Sequence, residues 1–160
     1  MKEMIIETKV KVCHYDELSD ADKKVVDAAR AATANSYAIY SKFHVGAAVL
    51  LANGIVVSGS NQENAAYPSG LCAERTTLFW ANSQYPNEAV KVLAIAACTG
   101  GRELDVPIPP CGACRQVILE TENRYKTPMR IILYGVKECH IIEEGVKALL
   151  PLSFTSDFLE

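Results

Sequence analysis

A layered α/β/α fold built on one mixed sheet is the architecture this sequence predicts. Three observations carry that expectation. Residues 45–52 and 90–98 are nearly all apolar, as strands buried on both faces are, and residues 130–135 form a further short strand. Helical segments precede the first of these runs and alternate with the rest. No repeat, low-complexity tract or linker divides the 160 residues, so a single domain spans 1–160, with 1–17 as an N-terminal arm.

Each element has its own reason. In the arm, Val10, Val12 and Tyr15 alternate weakly, which fits a short strand. Ser19-Asp20-Ala21-Asp22 starts a helix, with acids in its first turn. Val25, Val26, Ala29, Ala32 and Ala34 carry it toward Tyr37, and its alanines predict close packing. A connector over 40–44 leads into the strand 45–52. Asn53-Gly54 is a strong hairpin signal, and 55–59 return as the partner strand. Gly46, Ala47 and Ala48 leave room for a close neighbour, with the helix from Cys72 as the candidate. Residues 60–71 form a polar connector. A helix over 72–81 ends before Pro86-Asn87, and 90–98 is a central strand. Gly100-Gly101 and Pro107 to Pro110 bracket a loop that delivers Cys111 to a second helix over 111–120. Thr127-Pro128 turns the chain into the strand 130–135, and 139–142 reads as an edge strand. Residues 143–150 predict a short helix ended by Pro151, followed by a tail exposing Phe154 and Phe158. The order and direction of the strands do not follow from these patterns.

The chemistry concentrates between Cys72 and Cys114. Cys111-Gly112-Ala113-Cys114 is a C-x-x-C turn, a common half of a zinc site, and Cys72 adds a third sulfur. Soft thiolates suit zinc, and three protein ligands leave a fourth position for water. Glu74, two residues after Cys72, places a carboxylate beside that position, which is a hydrolytic layout. Cysteines at helix starts also feel the positive end of the helix dipole, which favours thiolate. Two alternatives stand beside this reading: a redox C-x-x-C, and a structural zinc with its fourth ligand from Cys13, Cys98 or Cys139. Glu74 on its own would be a helix-start acid that stabilises the dipole. His14 reads as a surface histidine.

Composition excludes other classes. Hydrophobic residues make up 49% of the chain, enough for a sizeable core, and the formal net charge of −3 gives no basic footprint for nucleic acid. The apolar runs are too short to span a membrane, and the N-terminus lacks the apolar stretch of a signal peptide. Six cysteines in a chain with a sizeable core fit a reducing compartment better than a disulfide scaffold, so a cytoplasmic location is expected.

Cys72-Ala73-Glu74-Arg75-Thr76, followed by Pro110-Cys111-Gly112-Ala113-Cys114-Arg115-Gln116, resembles the signature of the cytidine deaminases, the small homotetrameric kind. Cys72 stands where other zinc deaminases carry histidine, as in the three-cysteine branch. The resemblance runs from about Tyr40 to Phe154. It implies the cytidine-deaminase-like sheet, with two antiparallel strands and then parallel ones. It also implies one zinc per subunit on Cys72, Cys111 and Cys114, with Arg75 draining charge from the sulfurs. The reaction it implies is hydrolytic deamination of cytidine and 2′-deoxycytidine, with Glu74 passing a proton from water to N3 and then to the leaving amino group. The Asn-x-Glu-Asn-Ala segment from Asn61 resembles the part that holds the ribose, through Asn61 and Glu63. Phe43 is assigned by resemblance to ring packing and the Ala73 backbone to the base edge. Tyr40, Tyr67 and Phe154 resemble aromatics that line the pocket, the last two from a neighbouring subunit of a tetramer with shared active sites. Blasticidin deaminases share the zinc signature, but Tyr40-Ser41-x-Phe43 and Asn61-x-Glu63-Asn64-Ala65 favour nucleosides. Ser60 stands where many relatives have a cysteine.

Overall fold

The computed structural model describes residues 1–159, and these form a three-layer α/β/α arrangement. Seven strands make one sheet: β1 (Lys11–Cys13), β2 (Phe43–Leu51), β3 (Val56–Ser60), β4 (Val90–Thr99), β5 (Arg102–Glu103), β6 (Arg130–Tyr134) and β7 (Cys139–Ile142). The main path runs β1-β7-β6-β4-β2-β3, and β5 pairs with β4. Three helices flank it: α1 (Asp20–Ala32), α2 (Ala73–Gln84) and α3 (Gly112–Tyr125). No helix among the described residues is long and apolar enough to cross a membrane.

The two-residue period of the strands sorts the core into two faces. Val45, Ala47 and Val49 of β2, with Leu93 and Ile95 of β4 and Ile131 of β6, pack against Leu78 of α2 and Ile118 of α3. Ala48, Ala94 and Ile132 point the other way, onto Val25, Val26 and Ala29 of α1. Both faces are covered, which is why these strands read as continuous apolar runs.

Parallel pairing is confined to β4 and β6; every other ladder is antiparallel. The expected series of parallel strands therefore stops at one pair. The reason is chain length. Residues 135–138 alone join β6 to β7, and parallel strands need a crossover of a dozen residues or more. The link from β4 to β6 has that length and contains α3.

Four local expectations change. Gly46 serves α1, not the helix after Cys72: a Cβ there would lie 2.0 Å from the Ala29 carbonyl oxygen and 2.8 Å from the Thr33 nitrogen. The approach of α2 falls instead on Gly59, where a Cβ would meet Thr77 Oγ1 at 2.8 Å. The hairpin after β2 is a three-residue loop, 52–54, closed by Leu51 N–H donating to the Ile55 carbonyl at 2.9 Å, with Gly54 at φ 84°. Gly100 and Gly101, both at positive φ, turn β4 back into β5, a pairing the sequence pattern did not reveal. The predicted helix over 143–150 shrinks to a 3-10 turn at Val146–Ala148. Gly145 takes φ 78° just before it, and the Val146 N–H is captured by Glu122 Oε1 at 3.0 Å. The arm is partly woven in, since β1 pairs with β7 and a 3-10 turn follows at Tyr15–Glu17.

Two predictions follow from this packing. Gly46→Ala forces backbone against backbone and should lower stability by about 1–3 kcal/mol or more. Gly54→Ala meets open space and is strained only by its φ of 84°, which should cost about 1–2 kcal/mol, less than the backbone clash at Gly46. Urea midpoints of the two variants check the ranking; equal midpoints would remove the α1 contact as the constraint. Glu122 gives the second. Its carboxylate is buried in α3 and accepts from Met129 N–H at 2.9 Å and Val146 N–H at 3.0 Å, and burial pushes its pKa up despite those donors. A carboxyl raised in the folded state adds stability that is full below its unfolded pKa of about 4.3 and is lost as pH rises through the folded value. Glu122→Gln keeps the acceptor oxygen and should flatten that loss, read as urea midpoints from about pH 4 to about pH 7.

Candidate metal centre and cleft

Cys72 is the N-cap residue of α2 and Cys111 the N-cap residue of α3, both with extended backbone. Cys114 lies one turn into α3 and is fully buried. The three sulfurs lie within 4.8 Å of one another. Cys72 Sγ is 3.7 Å from Cys111 Sγ, which is 3.5 Å from Cys114 Sγ. Sulfurs about 2.3 Å from a tetrahedral zinc stand about 3.8 Å apart, close to these two separations, so the donor set suits the ion. Both helix dipoles point their positive ends at the sulfurs. The Cys72 thiol is lowered to about 5, chiefly by the neighbouring Cys114 thiol, with Arg75 and Cys111 adding to the effect. The Cys114 thiol is raised by Cys72 and by burial.

The fourth-cysteine alternative fails on placement. Cys13 and Cys139 face each other across β1 and β7, and Cys98 pairs opposite His44 on β2. None of them joins the cluster. A third sulfur within reach is also one more than a dithiol exchange pair uses.

Glu74 stands at the second position of α2 and is 4% exposed. Burial pushes its carboxyl up, and negative charge on Cys72 adds to this, while its own backbone N–H works against the shift. Arg75 Nη2 donates to Cys72 Sγ at 3.8 Å, and Arg75 Nε is buried without a partner among the described residues.

A cleft of about 580 Å³ opens beside Cys72 and Arg75, within the size range of small-molecule sites. Asn61, Glu63, Tyr40 and Tyr67 line it. The two tyrosine rings meet edge-on at 6.0 Å. Glu63 Oε2 accepts from the Tyr40 N–H at 2.8 Å, and hydrogen bonds from Ser41 and Tyr40 hold its carboxyl below the usual range.

Residues 19–128 match the family described as the cytidine and deoxycytidylate deaminase zinc-binding region. The chain belongs to that family. The cytidine deaminase of Sporosarcina psychrophila is 41% identical over 137 residues, which cover 86% of this chain and 93% of that protein. The cytidine deaminase of Halalkalibacterium halodurans is 41% identical over 123 residues, or 76% and 85% of the two chains. A crystal structure of the Burkholderia pseudomallei cytidine deaminase superposes with a TM-score of 0.72 at 34% identity, covering 86% of this chain and all of that one. The Mycobacterium tuberculosis enzyme superposes at 0.66 with 32% identity, covering 86% and 99%.

Within this deaminase-family chain the resemblance-based residues fall into three groups. Cys72, Cys111, Cys114, Glu74 and Arg75 gather around the sulfur cluster. Asn61, Glu63, Tyr40 and Tyr67 line the cleft. Phe43 begins β2 half-buried against the core beneath α2 and α3, and Ala73 is fully buried at the first position of α2. Phe154 is apart from all of these. It is 59% exposed and stacks on Phe158 at 5.7 Å, and its carbonyl oxygen accepts from Gln116 Nε2 at 3.0 Å. Sequence reasoning missed the scaffold of the cleft: Ser36, whose hydroxyl donates to Asn61 Oδ1, and the Tyr40 and Ser41 N–H groups on Glu63. Backbone donors leave no residue-type signal, and Ser36 lies far from the motif.

Purified protein should carry one zinc per chain by elemental analysis. Cys72→Ala, Cys111→Ala and Cys114→Ala should each lose most of it, because two sulfurs leave the ion half-held. Cys98→Ala and Cys139→Ala should retain it. Metal lost from the second pair and kept in the first would reverse the assignment.

Proposed function

We infer that the protein is a zinc-dependent hydrolase that deaminates cytidine and 2′-deoxycytidine to uridine and 2′-deoxyuridine with release of ammonia. The observation that carries this is the buried Glu74 carboxyl, set two residues after a metal-ready cysteine at the edge of a cleft. Family membership supports the same reaction. Zinc held by Cys72, Cys111 and Cys114 supplies Lewis-acid activation of the attacking water. Glu74 takes a proton from that water and delivers it to N3 of the pyrimidine. The water oxygen bonds to C4 as N3 takes that proton; Glu74 then moves the remaining proton of the new C4 hydroxyl to the 4-amino group, and the C4–N bond breaks to release ammonia as the C4 carbonyl forms. A carboxyl raised by burial suits this exchange, since a group that must take up and give back a proton works better when its acid form is less disfavoured. Arg75, donating to Cys72 Sγ, draws negative charge away from the ligand set.

Asn61 and Glu63 hold the sugar, Phe43 packs toward the base and the Ala73 backbone meets the base edge. Tyr40 and Tyr67 line the cleft of their own chain, which corrects the expectation that Tyr67 serves a neighbour, and Phe154 completes the pocket of a neighbouring subunit in a homotetramer; the exposure of its ring supports this, since an isolated chain leaves it largely uncovered. The whole chain acts as one deaminase domain. A place in pyrimidine salvage in the cytoplasm fits the six free cysteines.

Glu74→Gln tests the mechanism. It should keep fold and zinc and lose turnover by about 100- to 10,000-fold, read from the absorbance change as cytidine is consumed. A variant that keeps more than about a tenth of wild-type turnover would remove Glu74 from the proton path, since a positioned acid–base group contributes far more than that.

A further inference from the structure

The cleft is built from two loops, residues 33–42 between α1 and β2 and residues 61–71 between β3 and α2. They are zipped together by main chain and side chain. The Tyr37 N–H donates to the Asn61 carbonyl at 3.0 Å, and the Glu63 N–H donates to the Tyr37 carbonyl at 2.8 Å. Asn61 sits at the centre, and its amide is almost fully committed to the scaffold. Oδ1 accepts from the Val45 N–H at 2.8 Å and from the Ser36 hydroxyl. Nδ2 donates to the Phe43 carbonyl at 2.9 Å. An amide has two acceptor lone pairs and two N–H donors, so a single N–H remains for a ligand. Glu63 beside it is ionised and can only accept. One sugar hydroxyl answers both, accepting from Asn61 and donating to Glu63.

The geometry points to Ser36 as a positioning residue for sugar selection in the reaction inferred above, acting through Asn61. Val45 and Phe43 fix which way the amide faces, and both belong to the rigid β2. Ser36 belongs to the other loop. Its hydroxyl fills the last lone pair of Oδ1 and ties the α1–β2 loop to the amide at the point where that loop also presents the Tyr40 and Ser41 N–H groups to Glu63. Removing the hydroxyl frees the amide to tilt in the cleft, so the remaining N–H and the Glu63 carboxylate no longer converge on one oxygen. The pyrimidine end of the cleft, next to Cys72, makes no contact with Ser36 and is left as it was.

Ser36→Ala and Ser36→Thr are compared with wild type on cytidine and 3′-deoxycytidine, with zinc content and thermal midpoint measured alongside. Loss of one neutral hydrogen bond predicts that Ser36→Ala lowers the preference for cytidine, as a ratio of kcat/KM values, by about two- to tenfold. That change should come from cytidine alone, with 3′-deoxycytidine turned over as in wild type. Ser36→Thr, which keeps the hydroxyl, should restore the ratio. An unchanged ratio, or an equal fall on both substrates with a lower thermal midpoint, would overturn the proposal and leave Ser36 a loop brace. Failure of the underlying reading looks different: wild type itself would not turn over cytidine, or would not prefer it to the 3′-deoxy analogue.

Discussion

The rest of the structure depends on bringing three sulfurs from two separate crossovers to one point. Sheet direction makes this possible. β3 and β4 both run antiparallel to β2, so they exit the sheet at the same end. Each exit leads through a loop to a helix N-terminus, Cys72 in one case and Cys111 in the other. α2 leads back into β4 and α3 into β6, and these two strands are the parallel pair. Co-oriented strands impose co-oriented helices, so both positive helix ends face the same place. Ligand sites of open α/β sheets form outside the carboxyl ends of such strands for the same reason. The single parallel junction is thus the geometric condition for the three-sulfur cluster, and the antiparallel strands around it extend the sheet.

Charge is the second constraint on that point. Three sulfurs, of which only Cys114 is buried, and the buried Glu74 carboxyl share one end of the sheet, and their charges would repel one another once ionised. The chain answers with the two helix ends and the Arg75 guanidinium, all on the scaffold side. Glu74 is treated differently from the sulfurs. It is buried without a cationic partner of its own, and burial raises its pKa more than Arg75 lowers it. An acid buried without such a partner contrasts with Asp22, whose carboxylate is met by the Arg130 guanidinium. Two acids in one small domain thereby meet opposite surroundings.

Much of this was legible in the sequence, because the signals are strong where burial is complete. The apolar runs of β2, β4 and β6 are buried on both faces, and the expected three cysteines do gather into one cluster. The misreadings share a cause: they occur where a distant partner decides local structure. Glu122, more than twenty residues away, takes the Val146 N–H and turns an expected helix into a single 3-10 turn. The β6–β7 connection settles strand direction by its length, which no residue pattern announces. Gly46 was read correctly as a point of close approach, yet the sequence could not say from which layer. Helices extend past their expected ends for similar reasons: α3 continues through the buried Thr121 and Glu122 to Tyr125, and closes only where Lys126 takes a left-handed φ of 49°.

Asn61 shows how the fold sets the chemistry available to the cleft. β3 ends at Ser60, yet β2 still presents the Phe43 carbonyl and the Val45 N–H beyond that point. Left unpaired, these half-buried backbone groups would cost free energy comparable to lost hydrogen bonds. The Asn61 side chain meets both, doing with its amide what a further strand residue would do with its backbone. The main chain is then free to diverge from the sheet and form the cleft wall. The same substitution of side chain for backbone leaves an amide with one donor and no acceptor to spare. An ionised Glu63 nearby supplies acceptors and no donor. The cleft therefore offers a paired donor and acceptor at one place, and a hydroxyl, which both accepts and donates, is the simplest group that satisfies it. A phosphate in that position would face the carboxylate with like charge and no proton to share, and a bare carbon would leave both groups unmet. The donor and acceptor pattern of the cleft thus grows out of the way the sheet ends.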